Sequence, residues 1–104
     1  MDKSKQTGNP GLDPEQYREL IRLFIENTRK EISGIKKALK DNEPGRAEKL
    51  AHSFKGAALN LGLEKIAAAG DELRALLRND NYMNKAGVII NNILQDLDEL
   101  SRSV

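Results

Sequence analysis

Apolar residues recur every three or four positions through four stretches of this chain, and short runs rich in Asn, Pro and Gly separate the stretches. That spacing puts each apolar set on one face of an α-helix and leaves little room for strands, whose period is two. Order begins at Asp13-Pro14-Glu15-Gln16. Asp13 suits an N-cap, Pro14 the first helical position, and Gln16 completes a capping box. The first stretch then runs to about Asp41 on the stripe Tyr17, Ile21, Phe24, Thr28, Ile32, Ile35 and Leu39. Its first half carries Leu20, Leu23 and Ile25 besides, so this part either packs on two neighbours or exposes a patch. A kink between a short first helix and a longer second one also fits.

Asn42-Glu43-Pro44-Gly45 reads as a turn. The second stretch, about Gly45 to Leu61, turns Ala47, Leu50, Ala51, Phe54, Ala57, Ala58 and Leu61 inward, with Gly62 as its C-cap. The third, about Glu64 to Arg78, turns Ile66, Ala69, Gly70, Leu73, Leu76 and Leu77 inward, and Asn79-Asp80-Asn81 breaks it. The fourth, about Tyr82 to Ser101, turns Ala86, Ile89, Ile90, Ile93, Leu97 and Leu100 inward. Val88-Ile89-Ile90 is β-branched but sits within a helical period. Short loops between long amphipathic helices make antiparallel neighbours. The expected fold is all-α: an antiparallel four-helix bundle with a short N-terminal helical extension.

At 104 residues the chain fits one domain with one modest core. Residues 12–104 form that domain, and residues 1–11, polar and without an apolar period, read as a disordered tail. Seventeen basic residues stand against sixteen acidic ones, a balance that argues against a nucleic-acid partner. Without cysteine there is no disulfide and no thiolate metal site. No apolar run reaches the roughly 20 residues of a membrane span, and the N-terminus lacks the apolar core of a signal peptide. A cytoplasmic location is the default.

His52 is the only histidine, so no metal site is built on imidazoles. On the helical wheel it lies roughly 160° from the centre of the second stripe and faces water. Gly56 and Leu59 follow on the same outer face, and Glu48 and Lys55 flank it. A mid-helix glycine costs about 1 kcal/mol relative to alanine. Beside an exposed imidazole it makes sense if another protein's backbone comes close. Leu59 is a large apolar residue on a wet face, and Lys55 stands one turn away, where an ammonium can neutralise charge on a group attached to the ring. Separately, an exposed Leu and a surface Lys are ordinary. Together they describe a docking surface around a reactive imidazole.

The run His52-Ser53-Phe54-Lys55-Gly56, followed by Leu61-Gly62, resembles the signature of the histidine-containing phosphotransfer (HPt) domain: His, any residue, Leu or Phe, Lys, Gly, then a Leu/Gly pair near the helix end. Leu12-Asp13-Pro14-Glu15, Phe24-Ile25-Glu26-Asn27, Ala38-Leu39 and Leu73 extend the likeness over about residues 12–100. The resemblance implies a phosphorelay intermediate. His52 would accept a phosphoryl group from the aspartate of one receiver domain and pass it to another, Lys55 would contact the phosphoryl oxygens, and Gly56 would leave space for the receiver. Leu59, Leu20 and Leu23 are the candidate docking residues. Where the family often carries Glu or Gln, on the third helix, this chain has Arg74, either a phosphate ligand or a solvated arginine.

An unperturbed imidazole, with a pKa of about 6.5, is mostly neutral at pH 7 and therefore nucleophilic. Phosphoryl transfer needs in-line positioning and charge stabilisation more than covalent help. No Gly-rich nucleotide loop is present, so the chain is expected to be a phosphocarrier without kinase activity. It is expected to need no cofactor or metal of its own, with Mg2+ held by the receiver's carboxylates. The expected partners are response-regulator receiver domains and a hybrid histidine kinase, and the expected state is a monomer. One alternative is the dimerisation and phosphoacceptor domain of a sensor kinase. Such domains place an acidic residue directly after the histidine and a proline soon after, whereas here Ser53 follows and no proline occurs after Pro44. The other is a helical adaptor that binds through Leu20, Leu23, Ile25 and Leu59 without reacting.

Overall fold

A computed structural model of the chain describes residues 13–79 and 83–104. The expected tail at residues 1–11, the Asp80-Asn81 break and Tyr82 as a helix start lie outside the described residues. Four helices follow one another: α1 Pro14–Lys40, α2 Pro44–Asn60, α3 Glu64–Leu77 and α4 Met83–Arg102. No strand occurs among the described residues. Each helix packs on the next, and α4 returns to α1, which closes a four-helix bundle.

α1 starts as its sequence dictates. The Gln16 amide donates to the Asp13 carboxylate at 2.8 Å, and the Asp13 amide donates back to the Gln16 side chain at 3.1 Å. In the first turn Arg18 donates to Glu15 at 2.7 Å. That bond, with the adjacent guanidinium charge, holds the Glu15 carboxyl below its ordinary range. The helix then runs without interruption to Lys40, so the N-terminal extension is the leading part of α1 itself and no kink divides it.

Both of the first loops are tight because a left-handed residue ends each helix. After α1 it is Asn42, at φ 60°, and after α2 it is Gly62, at φ 77°. At each end the amide of that residue and the amide of the one after it fold back. Glu43 donates to the Ala38 carbonyl at 2.7 Å and Asn42 to Leu39 at 3.1 Å, while Leu63 donates to Ala58 at 2.8 Å and Gly62 to Leu59 at 3.1 Å. These are paired Schellman closures, which satisfy carbonyls the helix leaves open. Pro44, read as part of the turn, instead opens α2, one residue before the expected start at Gly45. The Tyr17 hydroxyl donates to the Leu61 carbonyl at 2.6 Å, pinning the start of α1 to the end of α2 as antiparallel packing requires.

The core takes Ile21, Phe24, Ile32 and Ile35 from α1, Phe54 from α2, Leu73 and Leu77 from α3, and Ile90, Ile93 and Leu97 from α4. Phe54 is the largest of the fully enclosed side chains. The doubly apolar first half of α1 resolves both ways: Ile25 is buried, while Leu20 and Leu23 stay exposed at 39% and 52%. One inward assignment fails. Ala57 is exposed, because it lies at the edge of the α2 stripe and its methyl is too short to close the gap to α1. Tyr17, Leu39, Leu50, Leu61, Ala69, Leu76, Ile89 and Leu100 pack half-buried around the core.

Candidate functional site

α2 carries the site, and its inward face explains the outward one. Ala47, Ala51, Phe54 and Ala58 are buried, which fixes the helix's rotation and turns His52 to solvent. α3 comes in closely beside it. Gly70 is buried there, and a Cβ at that position would stand 3.0 Å from the Phe54 ring and 3.2 Å from the Lys55 Cβ. The close approach brings the α3 side chains Asp71 and Arg74, and Arg78 at the α3 C-cap, alongside the α2 side chains Glu48 and Lys55.

A charged network results on the α3 side of His52. Lys55 Nζ pairs with Asp71 Oδ1 at 3.0 Å. Arg78 grips Glu48 Oε2 through Nε at 2.9 Å and Nη2 at 2.7 Å. Arg74 lies between them and is less well served. Its nearest carboxylate oxygens are 3.6 Å away on Asp71 and 3.9 Å away on Glu48, and its buried Nε has no hydrogen-bond partner among the described residues. His52, Glu48, Lys49 and Arg74 together line a depression of about 270 Å³.

On the other side of His52 a groove of about 560 Å³ runs between α1 and α2. Leu20, Leu23, Phe24, Ala57 and Leu61 give it an apolar floor, and Asn27, Lys30, Glu31, Ser53 and Asn60 give it a polar rim. Ser53 donates to Glu31 across the rim. Along the α2 crest Leu59 is 53% exposed. At Gly56 an added Cβ would meet nothing within 4 Å, so this glycine is not needed for packing inside the bundle.

The structure thus brings His52 and Arg74 together in one depression, with Lys55 beside them on the same charged flank. Leu20 and Leu23 fall on the opposite flank, and Gly56 and Leu59 lie along the crest. The sequence reading missed Asp71 and Arg78 as partners in the network and Gly70 as the contact that lets it form. The signal was present: Asp71 and Arg78 stand three before and four after Arg74, on one face of α3. No group of three or more His, Cys, Asp or Glu among the described residues could hold a metal ion.

The bundle thus presents its one imidazole on a helix crest, with cations on one flank and an apolar groove on the other. The chain matches the model of the Hpt domain over residues 19–103, and it belongs to that family. Searches among curated proteins and solved structures returned no match. Hpt domains are phosphocarriers of two-component signalling that work with receiver domains and histidine kinases. No helix among the described residues is long and apolar enough to cross a membrane.

Proposed function

We propose that this chain is a phosphorelay intermediate, with His52 as its phosphoacceptor. A ring nitrogen of His52 attacks the phosphorus of a receiver's aspartyl phosphate. An N–P bond forms, the P–O bond to the aspartate breaks, and the carboxylate leaves with the electron pair. A second receiver aspartate later reverses these roles. The exposure of His52 on a crest carries this reading, because a receiver must bring its aspartate in line with the ring. Lys55 and Arg74 supply positive charge for the phosphoryl oxygens. Gly56 lets the receiver's backbone pass close, and Leu59, Leu20 and Leu23 give it apolar surface to cover.

In this scheme the partners are response-regulator receiver domains and a hybrid histidine kinase that feeds them. The chain has no kinase activity and no cofactor of its own, Mg2+ sits on the receiver, residues 12–104 act as one monomeric unit, and the setting is the cytoplasm. The test is transfer from a phosphorylated receiver, followed as acid-labile, base-stable label. Wild type becomes labelled and His52→Gln does not. Equal labelling of the two would refute the assignment.

A further inference from the structure

Three side-chain cations, Lys55 on α2, Arg74 on α3 and Arg78 at the α3 C-cap, are drawn into the network beside His52, and they are not equivalent. Lys55 already has a carboxylate oxygen at 3.0 Å. Arg78 holds another through two nitrogens at 2.9 and 2.7 Å. Arg74 has neither carboxylate within hydrogen-bonding range, its Nε is buried without a partner among the described residues, and its side chain is only 20% exposed. A buried donor left unmade is unfavourable, and a guanidinium is always charged. Arg74 is also one of the four residues lining the depression beside the ring. Lys49 lines it too, but that side chain is exposed, so fixing its ammonium on a ligand forfeits both hydration and rotamer freedom.

The geometry points to Arg74, rather than Lys55, as the cation that holds the phosphoryl group on His52 and sets how long it stays there. This rests on His52 being the phosphoacceptor. A phosphoryl dianion in the depression offers the forked guanidinium acceptors that Asp71 and Glu48 do not, and neither Lys55 nor Arg78 has to give up a close partner. Loss of the group to water breaks the N–P bond, forms a bond from water oxygen to phosphorus, and returns one proton to the imidazole as inorganic phosphate leaves. A guanidinium fork that holds the phosphoryl oxygens stabilises the bound state by charge-assisted hydrogen bonds, which are given up as the group leaves. Glu48 and Asp71 compete for the same guanidinium, but each is engaged at closer range by another cation, Arg78 and Lys55 respectively. Arg74 is therefore a positioning residue that lengthens the life of the phosphorylated state.

The experiment phosphorylates the chain directly with phosphoramidate, without any receiver, and follows the decay of phosphohistidine by 31P NMR at pH 7. Arg74→Gln is expected to shorten the half-life roughly tenfold, about the effect of one charge-assisted hydrogen bond. Lys55→Gln and Lys49→Gln are expected to shorten it less. Unchanged decay in Arg74→Gln, or a larger effect from either lysine, overturns the inference. Wild-type protein gives a second readout that no misfolded variant can confuse. The Arg74 Nε–H resonance should shift and exchange more slowly with water on phosphorylation, and an unaltered resonance would count against the role. Labelling from a phosphorylated receiver is measured alongside. If that fails while the decay rates differ as stated, the relay reading fails and the assignment of Arg74 stands. If labelling succeeds with equal decay rates, the reverse holds.

Discussion

At the residue scale, two glycines separate what the fold needs from what the partner needs. Both lie inside continuous helices, where glycine costs about 0.5–1 kcal/mol relative to alanine. Gly56 faces open space, whereas a Cβ on Gly70 would press on the enclosed Phe54 ring. Gly56→Ala should therefore raise stability in urea denaturation by about 0.5–1 kcal/mol. Gly70→Ala should gain less or lose stability, because Phe54 has no room to retreat. Gly56→Leu should keep its helical circular dichroism and block transfer from a receiver, and normal transfer in that variant would remove the docking role of Gly56. His52 and Gly56 were legible from the sequence, because helical angle alone gives their direction. The Arg74 environment was not, since it depends on which carboxylate each cation of a neighbouring helix reaches first.

At the element scale, the four helices and the inward stripe of each follow from spacing, and the α1 start follows from Asp13 and Gln16. What spacing leaves open is where a stripe ends sideways. Ala57 and Ile25 sit at the edges of their stripes, and the side that each takes depends on how nearly the neighbouring helix approaches. The α1/α2 gap at Ala57 becomes the apolar groove. Leu23, more than half exposed beside that groove, has little to lose from a polar replacement. Leu23→Asp should change stability by less than about 0.5 kcal/mol while slowing phosphotransfer from a receiver, as read in initial rates. Undiminished rates would show that the receiver does not cover the groove. By contrast Phe54→Ala should destabilise by about 3–5 kcal/mol, seen as a lower urea midpoint, because it empties the largest enclosed site in α2.

At the scale of the whole molecule, a single chain closes its own bundle, with α4 packed back on α1 and a continuous core drawn from all four helices. Among the described residues one chain supplies all four helices of the bundle, in contrast to a sensor-kinase dimerisation domain. Light scattering should return the 11.6 kDa mass of one chain, and a concentration-independent dimer would favour that alternative instead. The proposed role turns on where a phosphoryl group lands. The decisive measurement is a peptide mass map of the chain after incubation with a phosphorylated receiver, made under basic conditions and again after brief acid. One phosphoryl group is expected on the peptide containing His52, mapped by fragmentation to the imidazole and lost in acid. An acid-stable phosphate on the neighbouring Ser53, or no phosphate at all, would contradict it.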